Sequence, residues 1–176
     1  MVQAVVMVEG RSDEAAVRAL AERYGRELDA EGVGVEVVGG AGGFARAMQQ
    51  LDPAITVAAL VDVGEVAQAA AALARTGLGD DLEALGFHVC HADLEDELIR
   101  ALGTDVVEEV VRAAGEIRQL RTFQDQPFQR DRPLDAQLRR FLGTKSGRKI
   151  RYGRLLVEAL DLSRVPRPLE AVLAAV

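Results

Sequence analysis

Four short apolar runs constrain this chain most. Residues 3–8 (QAVVMV), 33–38 (VGVEVV), 55–61 (ITVAALV) and 86–90 (GFHVC) are rich in Val and show little polar alternation. The first and third read as buried strands, as in a parallel sheet, and the second and fourth as further strands. Between them the periodicity is helical. Ser12 is an N-cap candidate with Asp13 and Glu14 in the first turn, and apolar residues at 16, 17, 20 and 21 follow. The glycine loop Gly39-Gly40-Ala41-Gly42-Gly43 opens a second helix over about 44–51, before Pro53. An Ala-rich helix over about 65–76 is closed by Gly77 and Gly79, and His91-Ala92-Asp93-Leu94-Glu95-Asp96-Glu97-Leu98 opens another. The order β-α-β-α-β-α-β-α with short connections predicts an α/β fold, a mostly parallel four-stranded sheet covered by helices.

Beyond this region the pattern changes. Residues 116–133 hold Gln, Arg, Asp and two Pro and read as a loop or loose connection. Helices resume at about 134–141, 150–160 and 167–174. We therefore expect an α/β domain over 1–115 and a basic helical C-terminal extension over 116–176 packed on it. A length of 176 residues suits one ordinary domain with such an appendage.

The charge distribution follows the same division. The net charge of -7 alone argues against a nucleic-acid partner. Residues 118–154, however, carry eleven Arg or Lys against three Asp, whereas residues 1–117 carry 22 acids and eight bases. An acidic half joined to a basic segment fits metal ligands on one side and a phosphate-backbone track on the other. No apolar run approaches the roughly 20 residues that span a bilayer, and Met1 to Val8 has no basic leader. Cys90 is the only cysteine, so no internal disulfide can form. A soluble, cytoplasmic protein without a membrane partner is the expectation.

Ligands of open parallel sheets bind beyond the carboxyl ends of the strands. Glu9 ends the first run, Asp62 ends the third, and Asp93 and Glu95 follow the fourth. Asp13, one helical turn after Glu9, can point back to the same mouth. Any one of these acids could be only a helix cap. Five from four segments at one edge repel one another, and divalent cations such as Mg²⁺ or Mn²⁺ would neutralise them.

The ordered set Val8-Glu9-Gly10-x-Ser12-Asp13-Glu14, the glycine loop ending in Phe44, Leu60-Val61-Asp62 and Asp93-Leu94-Glu95-x-Glu97-Leu98 resembles the TOPRIM domain of the OLD-family (overcoming lysogenization defect) nucleases. The resemblance runs through about residues 3–160. It implies a Rossmann-like TOPRIM sheet and a metal-dependent endonuclease that hydrolyses nucleic-acid phosphodiesters, DNA above all, by a two-metal mechanism. Glu9 and Asp13 match the element that binds one metal, Asp62 the first acid of the Asp-x-Asp element, and Asp93 and Glu95 the element that holds a second metal. Glu9 would also serve as general base. Lys149 matches the catalytic lysine that follows the acidic cluster, with Lys145 as the fallback. Lys145, Arg148, Arg151, Arg139 and Arg140 would hold the nucleic-acid backbone.

The resemblance departs at Gly64, where the second Asp of Asp-x-Asp would stand; Glu65 is adjacent. A site with one ligand fewer leaves a second reading open: a catalytically degenerate TOPRIM-like binding or regulatory module. OLD proteins also carry an ATPase domain. This sequence has no G-x-x-x-x-G-K-[ST] loop, which leaves a stand-alone nuclease or a partner to a separate ATPase chain, and related nucleases often form homodimers.

Other features carry weaker readings. The glycine loop 39–43 could cradle a phosphate, or could simply be a tight turn. His88-x-Cys90-His91 lacks the second pair that a closed zinc site needs, and Cys90 reads as core. Phe123, Phe128 and Phe141 read as core anchors rather than base-stacking platforms. A flavodoxin-type phosphate site is disfavoured by the acids that follow the first strand.

Overall fold

The computed structural model describes residues 2–176. Four strands, β1 (Ala4–Val8), β2 (Val33–Val37), β3 (Thr56–Asp62) and β4 (Phe87–Cys90), form one sheet of order β2-β1-β3-β4. Every pairing is parallel. The sheet is therefore wholly rather than mostly parallel, and β1 is buried along its entire length.

Strand alternation divides the interior into two layers. Val5 and Met7 of β1, with Ala59 and Val61 of β3, face α2 (Ala41–Gln50) and α3 (Val66–Arg75), where Phe44 meets Phe87 edge-on at 5.0 Å. Val6, Val8, Ala58, Leu60 and Cys90 face the other way, toward a larger core. That core is built by α1 (Arg11–Arg23), α4 (Leu94–Leu102), α5 (Thr104–Ala113), α8 (Leu134–Leu142), α9 (Ser146–Ala159) and α10 (Arg167–Ala174). Leu138, Phe141, Tyr152, Leu156 and Leu173 share this cluster with β1; α10 packs against β3 and β4, while α9 packs on α1.

Residues 116–133 are not the loose connection their composition suggests. They form α6 (Ile117–Gln124) and the short α7 (Pro127–Arg130). Ile117, Leu120 and Phe123 recur every third residue and give α6 one apolar edge; Leu120 is fully buried, and Phe123 meets Phe141 edge-on at 5.7 Å. The many polar residues on the other faces hide that stripe. Helix α2 also starts earlier than expected, with Ala41-Gly42-Gly43 as its first turn. A Cβ on Gly43 would overlap the Val38 carbonyl oxygen, so the glycine is needed for close approach of this helix to the end of β2.

Candidate metal centre

The parallel sheet directs the ends of β1, β3 and β4 to one rim. Glu9 leaves β1, and its Oε1 accepts the Asp62 backbone N–H at 3.0 Å, which ties the ends of β1 and β3 together. Asp13 sits in the first turn of α1 and folds back, accepting the Gly10 N–H at 2.9 Å. Asp13 therefore caps its own helix while facing the rim.

The remaining acids arrive after β4. Asp93 caps α4 by accepting the Asp96 N–H at 2.8 Å, and its other oxygen holds the Arg139 guanidinium at 2.7 Å. Glu95, only 4% exposed, is held by Lys149 Nζ at 3.2 Å. Lys149 reaches it because α9 lies very close to α1. Gly153, one turn beyond Lys149 on α9, touches the Ser12 backbone, and any Cβ there would overlap the Ser12 carbonyl. The glycine thus sets the helix spacing that delivers Lys149 to Glu95 and into the field of Asp13.

Electrostatics records this convergence. Burial pushes Asp62 up to about 7, and Glu9, Asp13, Asp93 and Glu95 all push in the same direction. Burial likewise raises Glu9, with Glu65 and Asp13 adding to it. Asp13 and Glu95 are raised by burial despite the opposing Lys149 charge. For Lys149 the loss of hydration acts downward, but Glu95, Asp13 and Asp93 outweigh it and hold its ammonium above the usual range. All five predicted acids and the predicted lysine thus occupy one electrostatic neighbourhood.

The donor set suits a hard divalent cation: the candidate donors are all carboxylates, and they are crowded at one rim. Among the described residues, no three acidic, His or Cys side chains are placed so that together they could hold a metal ion. The individual contacts explain this: Asp93 is held by Arg139, Glu95 by Lys149, and Asp13 and Glu9 by backbone N–H groups. Cation binding would therefore re-aim several of these side chains. Glu65, the carboxylate nearest the missing second Asp, accepts the Ala41 N–H at 2.7 Å and so serves the N-terminus of α2. That contact places an anion of the protein's own where the glycine loop could have cradled a phosphate. The space around Gly64 is open.

The basic residues divide into distinct groups. Arg132, Arg139, Arg140 and Lys149 line a cleft of about 560 Å³ together with Asp93 and Glu95. Lys145 lines a separate groove with Arg118, Phe123 and Phe141. Arg151 is exposed and donates to the Ala114 carbonyl at 3.3 Å. Arg148 departs from expectation. It is 8% exposed, paired with Glu116 at 2.9 Å, bonded to Thr144, and stacked 4.0 Å over the Phe141 ring. Its guanidinium ties α9 to α8 and to Glu116 before α6, while the residue also lines the groove that holds Lys145. Arg132, which the sequence pattern does not single out, joins the cleft; its position depends on the turn of α7, in the stretch whose composition suggests a loop.

Two further expectations can be placed. Cys90 is buried at the end of β4, and desolvation raises its thiol pKa. Of the three phenylalanines read as core, Phe141 is buried and Phe123 partly so, but Phe128 is 82% exposed. The short α7 turn has no apolar face to bury, and it displays this ring to solvent.

A four-stranded parallel sheet with acids from three strand ends gathered at one rim defines an α/β domain of the TOPRIM class. More particularly, residues 1–63 match the family model for the overcoming lysogenization defect protein-like TOPRIM domain, so this part of the chain is similar to that family. The fold extends the match. The C-terminal region of the Xanthomonas campestris pv. campestris OLD protein superposes with a TM-score of 0.73 at 25% identity, covering 99% of this chain and 91% of that one. The corresponding region of the Burkholderia pseudomallei OLD protein gives a TM-score of 0.70 at 20% identity, covering 99% and 97%. No curated protein matches the chain. TOPRIM domains generally bind divalent metals. No helix among the described residues is long and apolar enough to cross a membrane.

Proposed function

We propose that this domain is a Mg²⁺- or Mn²⁺-dependent endonuclease acting on nucleic-acid phosphodiesters, with DNA as its first substrate class. The carrying observation is the rim itself, where burial, with Glu9, Asp13, Asp93 and Glu95 around it, raises the Asp62 pKa beside a lysine-containing cleft. Glu9, Asp13 and Asp62 would hold one cation, and Asp93 and Glu95 a second. Bound there, the cations would lower the pKa of water and offset phosphate charge.

The chain's own groups have separable roles. Glu9 uses one oxygen on the Asp62 N–H, and burial raises its basicity, which suits it to accept a proton from the attacking water. Lys149 stays protonated between Glu95 and the cleft, where it can meet charge that develops on the phosphate. Arg139, fixed by Asp93, and Arg140 and Arg132 beside it would hold the strand by its phosphates without reading sequence. Lys145 and Arg151 lie outside this cleft and would extend the backbone contact.

Plasmid nicking tests the reading. Mn²⁺- or Mg²⁺-dependent nicking should disappear in Glu9→Ala, and persistence at the wild-type rate would refute the site. Lys149→Ala should lower cleavage far more than binding; equal losses would reduce it to a phosphate anchor. The second reading, a catalytically degenerate binding or regulatory module, draws on Gly64 and the uncaged carboxylates. Calorimetric titration with Mn²⁺ separates the two, because a degenerate site should give little or no binding heat.

A further inference from the structure

Phe128 is the most exposed large apolar side chain among the described residues, at 82%, where Val63, next in order, reaches 51%. Isolated surface apolar residues are common. This one differs in how firmly it is displayed. Pro127 starts α7 and Pro133 follows it, so two fixed φ angles bracket the ring. Gln137, largely buried on α8, donates to the Gln129 carbonyl at 3.0 Å and to the Arg132 carbonyl at 2.8 Å, clamping the segment beyond Phe128. Arg130 donates to the Asp125 carbonyl at 2.8 Å, closing the near side. The backbone is pinned on both sides and the ring is left in water.

The location gives this display a purpose. Arg132 donates to the carbonyl of Phe128 at 3.0 Å, and the same arginine lines the cleft with Arg139, Arg140, Lys149, Asp93 and Glu95. The backbone that carries this exposed ring is therefore joined by one hydrogen bond to an arginine of the cationic cleft. Phosphates in that cleft carry bases that must lie somewhere alongside, and an exposed aromatic face accepts any base by stacking.

We propose that Phe128 is a base-stacking residue, seating an unpaired nucleobase of the strand whose phosphates are held by Arg132, Arg139 and Arg140. The inference rests on the nuclease reading and adds a preference for single-stranded or locally unpaired nucleic acid. Phe128 touches neither the acids nor Lys149; it positions the strand and takes no part in the chemistry.

The test is fluorescence anisotropy with a short labelled single strand and its fully abasic counterpart, in Ca²⁺ and in EDTA. Phe128→Ala should weaken binding of the base-bearing strand roughly 5- to 150-fold, the range typical of one lost base stack. Phe128→Trp should restore it. The abasic strand should bind Phe128→Ala and wild type equally, and the melting temperature should not change. Equal affinity of Phe128→Ala and wild type for the base-bearing strand would overturn the stacking role and leave the nuclease reading intact. Wild-type protein that binds neither strand would end both. Equal losses on both strands, or altered sedimentation without altered strand affinity, would overturn it in favour of a phosphate or self-association role.

Discussion

Asp62→Asn isolates the strain stored in the acidic rim. Asp62 makes no side-chain hydrogen bond among the described residues, and the backbone N–H it gives to Glu9 survives the substitution, so little is lost except charge. Its pKa lies at about 7 in the fold against 3.8 for the free side chain, and burial is the leading cause. A raised carboxyl pKa means that the folded state holds the proton more tightly than the unfolded chain. Stability from this group is complete below pH 3.8 and falls as pH rises through about 7. The interval converts to roughly 4 kcal/mol at about 1.4 kcal/mol per unit. Asp62 is only half-buried, and solvent screening reduces this to about 1–2 kcal/mol. Cation-free wild type should therefore lose stability relative to Asp62→Asn between pH 5 and 8, by about 2–8 °C in melting temperature for a domain of this size. Mn²⁺ at pH 8 should recover the loss in wild type and have much less effect on the variant, because a ligand bound only by the fold stabilises it by mass action. Thermal melts in EDTA across that pH range measure the first effect, and melts with added Mn²⁺ the second. Parallel pH curves for the two proteins, or a variant less stable than wild type at pH 8, would show that the Asp62 charge is not under strain.

Gly64→Asp should fit without steric cost, because nothing lies within 4 Å of a Cβ built there, and should tighten Mn²⁺ binding by about tenfold in a calorimetric titration. Arg148→Ala should destabilise by about 1–3 kcal/mol in urea unfolding, since it removes the buried guanidinium that stacks on Phe141 and pairs with the partly exposed Glu116; a neutral result would show that this tie does not hold α9 to α8. Gly153→Ala should cost about 1–3 kcal/mol by forcing α9 away from α1, and should lower nicking further because Lys149 moves with that helix.

The fold and the acidic rim were legible for one reason: both follow from short-range pattern. A buried parallel strand announces itself by a Val-rich run, and the residue just past its end is placed by the sheet whatever the helices do. Glu9 follows β1 directly, Asp62 ends β3, Asp93 comes shortly after β4, and Asp13 lies one helical turn from Glu9. The basic half was less legible, because its positions depend on helix packing that spacing does not encode. Arg148 and Lys149 are adjacent in a run of cations, yet a helix turns them about 100° apart. One enters the core beneath Phe141 and the other meets Glu95. Phe128 resembled Phe123 and Phe141 by type alone, and only the turn between Pro127 and Pro133 separates it from them. Glu65 stood beside Gly64 and invited a ligand role, but the α2 N-terminus, 24 residues back in the chain, claims its carboxylate. Where a charge sits next to a strand end, topology fixes its neighbours; where it sits on a helix, its neighbours are decided by the partner helix. That is why the acids of this site could be read in sequence, whereas the cations that complete it could not be sorted until α8 and α9 had been packed.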